Sequence, residues 1–250
     1  MTASLVRTAA ALLLGSTAML SQAATVNLGS WAYGDSWNNK VDVGTPNHFG
    51  AAGGFKGSVT FAAGGELGFS GTWSDFITYC VEIDESFNLP SGDMGNYSVV
   101  AGNAYSKWNN ANGTANTAAG TAHRLGRLLS YVGSSSNLVD TAAESTSLQL
   151  AIWNVIYDTD ALLSAGLFRE KSNSIYNTYA ETLLAGASSW NSKFDVYVLS
   201  RDGKQDFVLA RTDRPITIEP QQNPVPEPAS LALSLLGLAA AAAASRRRRA

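Results

Sequence analysis

Apolar positions recur at a spacing of two in some stretches of this chain and at three and four in others. The spacing of two comes first. "SVTFAA" (58–63) and "LGFSGTW" (67–73) alternate on either side of a Gly64-Gly65 turn. "DFITYCVEI" (75–83) is dense in aromatic and β-branched residues, so all three stretches are predicted strands. Alternation in the third sets Phe76, Thr78, Cys80 and Glu82 on one side and Ile77, Tyr79, Val81 and Ile83 on the other. The second, more apolar set is expected in the core. "NYSVVAGNAY" (96–105) reads as a further strand. "KFDVYVLSRDGKQDFVLA" (193–210) reads as a hairpin with a tight primed turn at Asp202-Gly203, and "RPITIEP" (214–220) as an edge strand.

Helical spacing takes over between these strands. Leu125, Leu128, Leu129 and Val132 stripe the segment 121–132, with His123 near its polar start. Thr141 and Glu144 form a T-x-x-E capping box before "STSLQLAIWNVIYD" (145–158). "NSIYNTYAETLLAG" (173–186) is a third helix, closed by Gly186. The expected architecture is α+β, an antiparallel sheet or β-sandwich with inserted helices. One residue fits poorly. Gln149 shares a helix face with Ile152, Trp153 and Ile156, so an amide is expected to be buried, and a buried amide must be hydrogen-bonded.

The two ends of the 250-residue chain carry addresses rather than core. Arg7 precedes an apolar run from Thr8 to Leu20, and Ser21-Gln22-Ala23 ends it with small residues. This reads as a signal peptide over 1–23. At the other end Pro226-Glu227-Pro228 leads into an apolar run (229–244), closed by Arg246, Arg247, Arg248 and Arg249. That tail is similar to the PEP-CTERM sorting signals of exported proteins in Gram-negative bacteria that make exopolysaccharide. The resemblance implies an exosortase-type membrane protease as a partner, a C-terminal hydrophobic transmembrane helix held transiently in the inner membrane, and a final place at the cell surface or in the medium. The expected organisation is a signal peptide (1–23), an N-terminal strand and loop region (24–65), an α+β domain (66–218), a Pro-rich linker (219–228) and a hydrophobic sorting helix with its Arg tail (229–250).

Export changes the meaning of the cysteine count. Cys80 is the only cysteine, so no intramolecular disulfide is available outside the cytosol. A thiolate can attack a glutamine carbonyl and expel ammonia, leaving a thioester. The strand motif Tyr79-Cys80-Val81-Glu82 and the helix motif Gln149-Leu150-Ala151-Ile152-Trp153 resemble those of the thioester domains of bacterial surface adhesins. The resemblance covers roughly 66–210 and maps the bond onto Cys80 and Gln149, with Tyr79 and Trp153 as a shielding pocket. Leu148 stands where those domains have Thr. The resemblance implies covalent attachment to amines on a surface protein.

Two other functions compete. Trp31, Tyr33, Trp37 and Trp108 lie among Asn and Gly and could stack on sugars, as in a non-covalent exopolysaccharide or biofilm-matrix protein that binds glycans. Asp75, Glu82, Asp84 and Glu85 could supply a hydrolytic carboxylate pair. His48 and His123 are the only histidines, which disfavours a His-based zinc site. A net charge of -3 argues against a nucleic-acid partner. The expectation is a non-enzymatic protein with no metal or cofactor.

Overall fold

Alternating strands at both ends of the body build one sheet. The structure, a computed structural model, describes residues 23–35, 39–44, 47–62, 67–113, 116–171 and 174–211. The chain divides into two units, Met1–Ile216 and Thr217–Ala250, and every described residue lies in the first. Strands β1 (Ala23–Trp31), β4 (Phe55–Phe61), β5 (Gly71–Thr78), β6 (Asp93–Ala101), β7 (Asp195–Ser200) and β8 (Phe207–Arg211) form a six-stranded sheet. Their order is β5-β4-β1-β6-β7-β8, with every neighbouring pair antiparallel. Strands from 23–61 and from 71–211 therefore share one sheet. β2 (Lys40–Gly44) and β3 (Asn47–Ala51) make a separate hairpin.

The expected α+β architecture, an antiparallel sheet with inserted helices, is found, and the six-stranded sheet is nearly closed rather than a β-sandwich. Its first and last strands meet. Thr78 Oγ1 donates to the Val208 carbonyl at 2.6 Å, and Val208 N donates to the Tyr79 carbonyl at 3.0 Å. Val81 N donates to the Asp206 carbonyl at 3.1 Å. Closure satisfies backbone groups that an open edge would leave exposed.

The expected sides of 75–83 are inverted over 76–78, while Tyr79, Val81 and Ile83 are buried as expected. Phe76 and Thr78 are buried, while Ile77 is 41% exposed. Asp75 has a φ of 57°, and the β4–β5 register shifts between Gly57 and Val59, so alternation restarts there. Past Thr78 the segment is covered on both sides, and Tyr79, Cys80, Val81 and Ile83 are all buried.

Three helices pack together beside this sheet: α1 (Ala118–Val132), α2 (Ala142–Tyr157) and α3 (Ser174–Ser188). α1 lies against β7, which is why both faces of β7 are buried. The expected end of α3 at Gly186 is corrected, because the helix runs on to Ser188. Gly186 instead allows close packing: a Cβ there would fall 2.3 Å from the Tyr131 ring. The 201–206 turn also differs from expectation. Only Gly203 takes a positive φ (68°), and Lys204 N bonds to the Arg201 carbonyl at 3.1 Å, so the turn is not a primed one.

The central helix is α2. Residues 145–156 are buried on every side, as befits a helix without a solvent face. Its start is the capping box read from sequence: Glu144 N donates to Thr141 Oγ1, and Thr141 N donates to Glu144 Oε2. Thr141→Ala is expected to cost about 1 kcal/mol, measured as a shift in the urea midpoint.

The C-terminal transmembrane helix is also corrected. Among the described residues no helix is long and apolar enough to cross a membrane. Residues 212–250, where that helix and the "RPITIEP" strand were expected, lie outside the described residues. So do the signal peptide up to Gln22, the Gly64-Gly65 turn and Trp37.

Candidate functional site

Several polar residues of α2 find partners on neighbouring backbone or on side chains that pack against it. Ser145 Oγ accepts from Gly54 N at 2.7 Å, and it shares a 3.2 Å hydrogen bond with the Tyr79 hydroxyl. Thr146 Oγ1 donates to the Ala52 carbonyl at 2.7 Å. Asn154 Nδ2 donates to the Leu162 carbonyl at 3.3 Å. Gln149 is held by two such bonds, and both are to Cys80.

Cys80 stands on the seam of the sheet. Tyr79 bonds across to Val208 of β8, Val81 to Asp206 just before it, and Cys80 bridges to Phe207. In an extended segment the residue between two such bonds points its own backbone groups the other way. Those of Cys80 face α2. Cys80 N donates to Gln149 Oε1 at 2.9 Å, and Gln149 Nε2 donates to the Cys80 carbonyl at 2.8 Å. The side-chain amide replaces one peptide unit of a missing strand. With Gln149 only 1% exposed, this pairing is what makes its burial tolerable.

The same contact has chemical content. The Cys80 N–H polarises the amide carbonyl, and the amide nitrogen is held by a carbonyl acceptor. Cys80 is a free, buried thiol, and Gln149 is an intact amide. Burial pushes the thiol pKa upward, and the nearby Glu82 carboxylate adds to the rise. The thiol therefore keeps its proton unless a base removes it.

Cys80, Gln149 and Trp153 all line a cleft of about 920 Å³. The β2–β3 hairpin supplies part of its wall, and Phe49 on that hairpin is 68% exposed. Trp31, Phe87, Glu82 and Glu85 also line it. Tyr79 does not. Its ring lies against Gly54, where a Cβ would fall 2.7 Å from Tyr79 Cζ, and its hydroxyl reaches Ser145. Tyr79 thus holds the seam against α2 from behind the cleft.

Of the four carboxylates, Glu82, Asp84 and Glu85 line the cleft and Asp75 lies apart. Asp75 pairs with Lys56 at 3.0 Å and does not line the cleft. Asp84 reaches His48 Nε2 at 3.0 Å near the surface. Glu82 Oε1 accepts from Lys107 Nζ at 2.6 Å, while its Oε2 is buried without a hydrogen-bond partner. Burial raises the Glu82 pKa to about 7; Asp206 and Glu85 add to the rise and Lys107 opposes it.

Sequence reasoning missed Ser145, Gly54 and the Asp206 network. For Ser145 the signal was present: "STSLQ" places four polar residues in a helix that has no outer face. Trp108, expected to be exposed, is buried against Tyr105 at a ring separation of 5.1 Å. Trp31 is half-buried on Phe55, and Tyr33 is half-buried. His123 lies within α1, where partial burial and then Arg127 and Arg124 lower its pKa. Among the described residues no group of three or more His, Cys, Asp or Glu side chains gathers to hold a metal.

The second functional feature is the linear one at the C-terminus. Residues 224–249 match the PEP-CTERM protein-sorting motif. The PEP-CTERM match includes Pro226, Glu227 and Pro228 and all four arginines from Arg246 to Arg249. A chain bearing the PEP-CTERM signal is an exported, cell-surface-associated protein and an exosortase substrate by type. The motif assigns an address and leaves the chemistry of the body to the cleft. No curated protein and no solved structure matches the chain.

Proposed function

We propose that the body of this exported protein attaches covalently to amine-bearing partners through a thioester between Cys80 and Gln149. The reciprocal pair of hydrogen bonds between the Gln149 amide and the Cys80 backbone supports this reading. It fixes the amide on the residue whose sulfur would attack, and so removes much of the entropic cost of bringing the two together. Sγ of Cys80 bonds to Cδ of Gln149, the Cδ–Nε2 bond breaks, and nitrogen leaves as ammonia with the thiol proton. The Cys80 N–H then supports the developing negative oxygen. An amine entering the cleft opens the bond, becomes an amide on Gln149 and returns the proton to sulfur. The reaction occurs once per chain, so the protein is a one-shot adhesive rather than an enzyme. An exosortase-type protease is the proposed handler of the PEP-CTERM tail.

The mature secreted protein is expected to weigh one ammonia less than its sequence. Methylamine should add at Gln149, and Cys80→Ala should abolish both effects. A full sequence mass with one titratable thiol per chain would exclude the bond. A non-covalent reading draws on Phe49 and Trp31, aromatic walls of the same cleft suited to stacking on exopolysaccharide. Polysaccharide binding that survives Cys80→Ala but is lost on Phe49→Ala would favour it.

A further inference from the structure

We infer that Glu82 is the proton relay of the Cys80–Gln149 pair, an inference that rests on the thioester reading above. Both directions of that chemistry need a proton moved inside the cleft. Formation must take the thiol proton and hand it to departing ammonia. Opening must take a proton from the attacking amine and hand it to departing sulfur. Burial disfavours a free thiolate at Cys80, so neither step proceeds well through an unprotonated sulfur.

Glu82 is placed for this role. It lies two residues from Cys80 and lines the same cleft. Its two oxygens are differentiated: Oε1 is fixed by Lys107, while Oε2 is buried and carries no hydrogen bond. A fixed carboxylate with one open oxygen is a base with its geometry set in advance. In formation Oε2 takes the Sγ proton, Sγ bonds to Cδ, and the protonated Glu82 gives that proton to the nitrogen that leaves. In opening Oε2 takes a proton from the amine as nitrogen bonds to Cδ. Glu82 then returns it to Sγ as the Sγ–Cδ bond breaks. Atoms and charge balance in both directions, and Glu82 ends as it began.

The charged and titratable groups facing Glu82 set its pH range. Lys107 stabilises the carboxylate, and Asp206 and Glu85 work against it. Cys80, Tyr105 and Tyr157 also lie within its electrostatic reach. Burial dominates, and the pKa of about 7 leaves Glu82 switched between acid and base near neutrality.

The test begins with the intact mass of the mature secreted protein. If the wild type has lost no ammonia, the thioester reading fails and this inference falls with it. If the thioester is present, methylamine incorporation is timed against pH and expressed per free, unprotonated amine. The rate should rise through about pH 7 and level off above it. A flat profile overturns the relay while leaving the thioester intact. Glu82→Gln, checked for native near-ultraviolet circular dichroism, should lower the plateau by on the order of 100-fold and remove the inflection. A Glu82→Gln protein that folds and reacts like wild type also overturns it. Lys107→Met removes the cation that holds the Glu82 pKa down, so the inflection should move to higher pH. That shift decides the matter even if Glu82→Gln does not fold, and an unmoved inflection counts against the relay.

Discussion

Introduced beside Cys80→Ala, which keeps the side-chain amide intact, Gln149→Leu should destabilise the body by roughly 2–6 kcal/mol, the cost of leaving two buried backbone groups unpaired at about 1–3 kcal/mol each. Leucine fills much of the volume, so the loss comes from the Cys80 N–H and C=O, which bond to Gln149 at 2.9 and 2.8 Å. Against a typical total of about 5–15 kcal/mol, this is enough to unfold a marginal domain. Urea unfolding followed by tryptophan fluorescence checks it. Gln149→Glu should fall between wild type and Gln149→Leu at neutral pH. Its carboxylate still accepts from Cys80 N but sets a second oxygen against the Cys80 carbonyl. A Gln149→Leu loss under about 0.5 kcal/mol would mean that the seam does not depend on the amide.

Asp206→Ala is expected to cost about 3–5 kcal/mol, because it strips a buried charge network of its acceptor. Asp206 is fully buried in the turn between β7 and β8. Its carboxylate accepts from Tyr105 Oη at 2.5 Å, Arg201 N at 2.7 Å, Ser200 Oγ at 2.9 Å and Lys107 Nζ at 3.2 Å. Alanine takes this acceptor from Tyr105 Oη, Arg201 N and Ser200 Oγ, and leaves Lys107 with only Glu82. Asp206→Asn should lose less, since it keeps an acceptor and the side-chain volume. Equal losses for the two variants, measured by urea midpoint, would show that charge rather than hydrogen bonding carries the effect.

The features legible in sequence were those written within a few residues. The capping box at Thr141 and Glu144 is one, and the helical face shared by Gln149 and Trp153 is another. The PEP-CTERM tail is a third, because a sorting signal is read as a linear string. Features that depend on distant parts of the chain were not legible. The inward side of 75–78 was misassigned because a positive φ at Asp75 breaks an alternation that composition alone continues. Closure of the sheet joins Thr78 to Val208 across 130 positions, and no local pattern announces it. Trp108 looks like a loop aromatic among Asn residues, yet packing around Tyr105 buries it. The pairing of Cys80 with Gln149 was suggested by motif. The way the amide completes the seam became visible only once β8 was seen to occupy the other side of the same segment.

That arrangement sets an order of events. Cys80 reaches its final surroundings only when β8, the last described strand, docks beside it. A chain that crosses a membrane unfolded carries an ordinary thiol and an ordinary amide, 69 positions apart and inert toward each other. Any reactivity at this pair therefore arises after nearly all of the body has emerged and assembled, on the far side of the membrane. Under the thioester chemistry proposed above, the seam would act as a safety catch: truncated or half-made chains lack the strand that arms it.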